Sequence, residues 1–219
     1  MVRMLEAFPA SAMAISLPRS ERFVYPIELS PREVYLCQFL GEEKVHGSGL
    51  VRFLFRTEVL REVGGFNTHY RSGDPYIQQR ISLSHSSLFI NDGLAWWRRT
   101  AGQASESVTR DHISYLESLE FNREFLNSSE CPLTQDEVKV AFSNLYGGFI
   151  RLAIYCAFKG RMKHAIQLLR KAQIPLPAWR YAFVPARYPY LSDVSAERPL
   201  SSGLHRNPFA KIPRVGEYN

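Results

Sequence analysis

Two short stretches carry residues whose types and order could do chemistry. The first is Asp74-Pro75. Aspartate followed by proline is a strong helix start: the carboxylate can accept from the first amides, and proline lacks only a donor that would be unpaired there anyway. A carboxylate so placed either caps its helix or, facing a substrate hydroxyl, takes its proton as a general base. The second stretch is Trp96-Trp97-Arg98-Arg99. Guanidinium groups hold phosphates bidentately, and tryptophan faces make platforms for sugar rings. The plainer reading is a strand end with buried aromatics and solvated arginines. His46, His69 and His85 stand alone and are expected to be ordinary loop or surface residues.

The elements that must position these residues lie between Gly47 and Ser105. Val51 to Phe55 is short and apolar, as a buried strand should be. Thr57 can cap a short helix with Glu58 in its first turn. Gly64-Gly65 ends that helix, because glycine accepts the left-handed conformation cheaply, and Phe66 can fold back as the apolar contact of the cap. In the next helix, from Asp74, Ile77 and Ile81 are four apart and share one apolar face. Leu88-Phe89-Ile90 reads as a second strand, Asn91-Asp92-Gly93 as a turn, and Leu94 to Trp97 as a third extended piece.

That order resembles the second half of the family 2 glycosyltransferases, nucleotide-sugar enzymes of the type A glycosyltransferase fold. The residues that carry the resemblance are Phe55-Arg56, Val59-Leu60, Val63-Gly64-Gly65-Phe66, Asp74, Arg80, and Trp97-Arg98 ahead of Gln103 and Ser105. It covers about residues 1 to 175 loosely and 47 to 105 well. It implies a partial type A domain of α/β class, transferring a sugar from a nucleotide-sugar donor to the hydroxyl of a glycan or lipid-linked acceptor. Asp74 would be the general base. Gly73 stands where the family's acidic pair has its first member, so the pair has become Gly-Asp. Gly73, Trp96, Trp97, Arg98, Arg99 and Gln103 would line the acceptor or phosphate side. Thr100 stands where many family members carry a histidine, so no metal ligand is expected there.

The resemblance also implies a divalent ion, Mn or Mg, held in the complete enzyme by an Asp-x-Asp motif. No Asp-x-Asp occurs in this chain, nor does a glycine-rich phosphate loop. The expectation is therefore an acceptor half whose nucleotide-binding half is missing, as in a fragment, a truncated product or one part of a split protein. From another class, the alternative is a non-catalytic binding or scaffold protein that works through its helices and its basic end.

The rest of the chain divides by composition. Met4 to Phe8 reads as the end of a helix and Ala12 to Leu17 as a strand. Arg3, Met4-Leu5 and Ala10-Ser11-Ala12 imitate a secretory signal, but Glu6 and Pro9 interrupt its apolar part. Ser30-Pro31-Arg32-Glu33 is a capping box opening a helix that Gly41 stops. Beyond the α/β part, assigned to residues 1–110, residues 111–174 read as a helical extension. It comprises a helix from about Asp111 to Leu126, a long one opened by Thr134 and Glu137, and a return helix between Gly160 and Pro175. Gly147-Gly148 inside the long helix predicts a close backbone approach or a kink. Residues 175–219 hold seven of the chain's 13 prolines, among aromatics and arginines, without any period. They read as a tail, docked or solvated; single-stranded nucleic acid is not the expected partner.

With 45% hydrophobic and 22% charged residues, the 219-residue chain is globular in composition. Its net charge of +6 suits an anionic substrate or a membrane surface without choosing between them. No apolar run approaches the roughly 20 residues of a membrane span. Cys37, Cys131 and Cys156 are odd in number and far apart, which points to a reducing compartment. The expected place is the cytoplasm, with a peripheral membrane position as its variant.

Overall fold

A computed structural model describes residues 1–17, 25–41, 45–46, 49–71, 73–91 and 113–182. The protein is of mixed α/β class. Helix α1, Val2–Ala7, leads to strand β1, Ser11–Leu17, and a short strand β2 spans Ile27–Leu29. Helix α2, Pro31–Tyr35, opens with the expected capping box and runs on through a π-helical turn, Leu36–Leu40. Gly41 stops it in extended conformation.

Leu50–Arg52 is a 3₁₀ turn and not strand, so β3 is only Phe53–Phe55. The turn lifts Val51 off the sheet into solvent, and β3 is a half-buried edge rather than a buried strand. Helix α3 is Thr57–Glu62; Arg56, not Thr57, holds the N-cap position, and no side chain caps it. Its end is as expected. Gly64 and Gly65 have φ of 88° and 73°, Gly65 N–H donates to Leu60 O and Gly64 N–H to Arg61 O. These two bonds are the Schellman pair that needs a left-handed residue at the turn. Phe66 packs edge-on against Phe55.

Helix α4 is Gly73–Ser82 and strand β4 is Ser86–Asn91. The sheet order is β2-β4-β1-β3, with β1 and β4 parallel at the centre and both outer strands antiparallel. Every residue of β1 is buried, because both faces of the sheet are covered. Leu5 and Phe8 pack with Ala14, Leu88 and Ile90 on one face. Val34 and Cys37 from α2, with Ile77 and Ile81 from α4, pack on Met13, Ile15 and Phe89 on the other.

Helices α5, Ile113–Asn127, α6, Gln135–Phe158, and α7, Met162–Ala172, follow. Phe121, Phe125 and Leu126 join Tyr35, Phe39 and Leu40 in a second apolar cluster, which ties the helices to α2. A third cluster holds α6 and α7 together as a hairpin through Phe149, Ala153, Cys156, Ala165, Leu168 and Ala172. Arg32 adds a charged link, its guanidinium 2.5 Å from the buried carboxylate of Glu137.

The start of the proline-rich stretch is docked. Leu176–Ala182 is a 3₁₀ helix with Ala178 and Ala182 buried, and Arg151 donates to the carbonyls of Tyr181 and Ala182. A Cβ at Gly147 would lie 2.4 Å from Tyr181 O, so the glycine there permits the close approach expected of the pair. Gly148 meets nothing nearer than an Arg151 nitrogen at 3.9 Å.

Candidate functional site

Asp74 lies in the first turn of α4, which begins at Gly73, so it is not the N-cap and Pro75 is not the first helical residue. Asp74 Oδ2 accepts a hydrogen bond from Leu50 N–H at 3.2 Å, tying the helix start to the turn before β3. The carboxylate is half-buried.

Its place in the sheet follows from the register. Phe53 opposes Ile15, so the turn at Leu50 lies beyond the carboxyl end of β1, and Leu17 opposes Asn91, the last residue of β4. Asp74 therefore sits at the edge where the two central parallel strands both end. In open α/β sheets this edge is where ligands bind, since the strand ends and helix starts leave polar groups facing a crevice.

Gly73 opens the same helix, and a Cβ there would come to 3.5 Å from Asn67 O, an ordinary contact. Trp96, Trp97, Arg98, Arg99 and Gln103 lie outside the described residues, as do the turn at Asp92-Gly93 and the extended piece to Trp97. Their segment follows Asn91, the last residue of β4, in the chain.

Two other residues of the resemblance have structural work. Arg56 donates to the carbonyls of Ser11 and Leu5, both at 2.8 Å, holding the end of α1 against β1. Arg80 pairs with Glu130 at 2.8 Å and joins α4 to the loop before α6.

Among the described residues, no three His, Cys, Asp or Glu side chains come together as ligands.

His46 corrects the expectation of an ordinary loop or surface residue. It is buried, its backbone N–H donates to Gln38 Oε1 at 3.1 Å, and its ring Nε2 is 3.2 Å from Ser82 Oγ. Ser82 Oγ is in turn 3.4 Å from Ser87 Oγ. Burial pushes the imidazole down to about 3, so it is neutral near pH 7. Nothing local in the sequence marks it. His69 is exposed beside Tyr70, and His85 is half-buried with Nε2 3.5 Å from Glu62.

No protein-family model matches this chain, and no curated protein matches it.

Proposed function

We propose that this protein is the acceptor-side part of a sugar transferase resembling the family 2 glycosyltransferases, with Asp74 as its proton acceptor. The observation that carries the reading is the half-exposed Asp74 carboxylate at the carboxyl edge of the central parallel strands. As the acceptor hydroxyl attacks the anomeric carbon, Asp74 takes its proton, and the nucleoside diphosphate leaves with the electrons of the broken glycosidic bond. The donor would come from the nucleotide-sugar class and the acceptor from glycans or lipid-linked sugars. Trp96, Trp97, Arg98, Arg99 and Gln103 are proposed to serve the acceptor or the phosphates.

The test is sugar transfer by the full chain, alone and, where the coding sequence extends upstream, in the longer protein. Asp74→Asn keeps an oxygen that can accept from Leu50 N–H but removes the basicity. It should lower turnover roughly 10² to 10⁴-fold with the fold intact. A fully active Asp74→Asn protein would end the assignment. For the lone chain, weak binding of nucleoside diphospho-sugars is expected in calorimetry with Mn²⁺; micromolar binding would place the donor site within these residues.

A second reading, a binding protein that works through the hairpin, is favoured by the one-signed charge that follows the first turn of α6 and continues through α7. Residues 138–182 hold eight Lys and Arg and no Asp or Glu.

A further inference from the structure

Charge is divided sharply along this chain. Residues 1–137 hold 14 Lys and Arg against 18 Asp and Glu, a net −4, whereas residues 138–182 hold eight basic residues and no acidic one. The basic segment comprises α6 from Val138 on, α7 and the 3₁₀ helix docked on them. Its densest point is the hairpin turn, where Lys159, Arg161 and Lys163 fall within five residues, all exposed. Among the described residues no carboxylate pairs with any of the three.

The same turn exposes large apolar side chains. Phe158 is 85% exposed, Tyr155 59%, Met162 56% and Ile166 43%. In α7 the seam against α6 is Ala165, Leu168 and Ala172; Met162 and Ile166, one turn apart, flank that seam. Lys163 and Arg170 lie next to them around the helix by its 3.6-residue period. Scattered exposed apolar residues need no explanation, but four within twelve residues are a different pattern, interleaved with cations that no described carboxylate neutralises, Lys159 lying over the Tyr155 ring.

We propose that the tip of the α6–α7 hairpin docks on an anionic lipid bilayer. The cations draw the tip to the headgroups, and Phe158, Met162 and Ile166 enter the boundary with the acyl chains. Charge complementarity chooses this occupant. Residues 111–137, with seven Asp and Glu against one Arg, are repelled by the surface that attracts the hairpin tip, whereas residues 1–110 are nearly balanced, with 13 basic against 11 acidic residues. A nucleic acid would match the charge but not the aliphatic side chains of Met162 and Ile166, since bases stack on aromatic faces. Helix α6, Gln135–Phe158, is long and apolar enough to cross a membrane, contrary to what its longest unbroken apolar run predicts. Its packing against α5, α7 and the 3₁₀ helix makes it the core of the hairpin, and only its end is offered to the surface. This inference does not depend on the sugar-transfer reading.

The experiment is co-sedimentation of the full chain with vesicles of phosphatidylcholine alone or with about a third phosphatidylglycerol, at low salt and at about 0.5 M salt. Binding is expected to the anionic vesicles only, and to fall at least tenfold at the higher salt. Lys159→Gln with Lys163→Gln should weaken it roughly 25-fold, about fivefold for each cation. Phe158→Ser with Met162→Ser should weaken it roughly tenfold or more. All four positions are exposed, so the melting temperature of both variants should stay that of the parent. Equal sedimentation with neutral vesicles, no sedimentation with either kind, or unchanged binding by either double variant would overturn the proposal. So would displacement from anionic vesicles by a single-stranded oligonucleotide that binds the apolar variant as well as the parent, which would make nucleic acid the partner.

Discussion

All seven residues of β1, from Ser11 to Leu17, are buried, whereas in α7 only Ala165, Leu168 and Ala172 are. The strand has α1 on one face of its sheet and α2 with α4 on the other; the helix has α6 and part of α5 along one seam, with its other side chains mostly exposed. An element covered on both faces has little surface left to offer a partner. One covered on a single seam keeps most of its side chains available. The sheet therefore contributes a scaffold whose edge carries Asp74, and the hairpin contributes a face.

The comparison breaks first on core substitutions. Phe89→Ala, at a position 1% exposed in β4, should cost about 3–5 kcal/mol, whereas Phe158→Ala should change stability by less than about 0.5 kcal/mol. Urea melts would measure both. A large loss at Phe158 would mean that the hairpin tip is packed rather than open.

Acid should loosen the α/β part next. The unfolded His46 binds a proton below its ordinary value of 6.5, while the folded one resists down to about 3. Between those values the unfolded state holds more protons, so stability is present above that window and is lost as pH falls through it. From pH 6.5 to 5 the loss from His46 should be about 1.5–2 kcal/mol. Paired melts of the parent and His46→Gln at several pH values would show it as a steeper slope in the parent; parallel slopes would contradict the buried neutral ring.

Glu137 joins the two regions, and its loss should come third. It completes the capping box of α6 with Thr134 and pairs with Arg32 of α2. Burial pushes the Glu137 carboxyl up, but the Thr134 N–H and hydroxyl and the Arg32 guanidinium outweigh it and hold it below its ordinary value. Its contribution is then present above about pH 4.5 and is lost as pH falls through the depressed value. Arg32 is half exposed, so its share is screened, and Glu137→Ala should cost about 1–2 kcal/mol near pH 7. A melt at pH 3 should show a smaller difference between the two proteins; an equal one would assign the effect to packing.

The smallest effects separate neighbouring glycines. Gly147→Ala drives a methyl into Tyr181 O and should cost about 1 kcal/mol net, since helix propensity offsets part of the clash. Gly148→Ala meets only the flexible end of Arg151 and should stabilise by up to about 1 kcal/mol. If both stabilise, the docked 3₁₀ helix yields easily and the hairpin does not need it.

Much of the secondary structure was legible from residues a few positions apart. Ser30 with Glu33, Thr134 with Glu137, and Gly64 with Gly65 each act within one helical turn, so their chemistry suffices to place a helix end. The face of α4 was equally legible, since Ile77 and Ile81 are four apart and both buried. Asp74 as a candidate could be read from its type and from Pro75, but its partner could not: Leu50 lies 24 residues away. The acid-free run after Glu137 stands in the sequence as well, yet it acquires meaning only once α6 and α7 bring its cations to one hairpin end.

Local interactions are decided by the chain's own covalent geometry, and the sequence by itself determined those: the two capping boxes, the glycine stop, the apolar stripes and the helical hairpin. Tertiary structure alone decided the pairs far apart in the chain. It buried His46 against Ser82, set Arg32 against Glu137, drew Asp74 to Leu50, and laid Tyr181 on Gly147. The reason is that such contacts form only after loops are closed by the burial of other residues, and no local pattern encodes which surfaces will then meet.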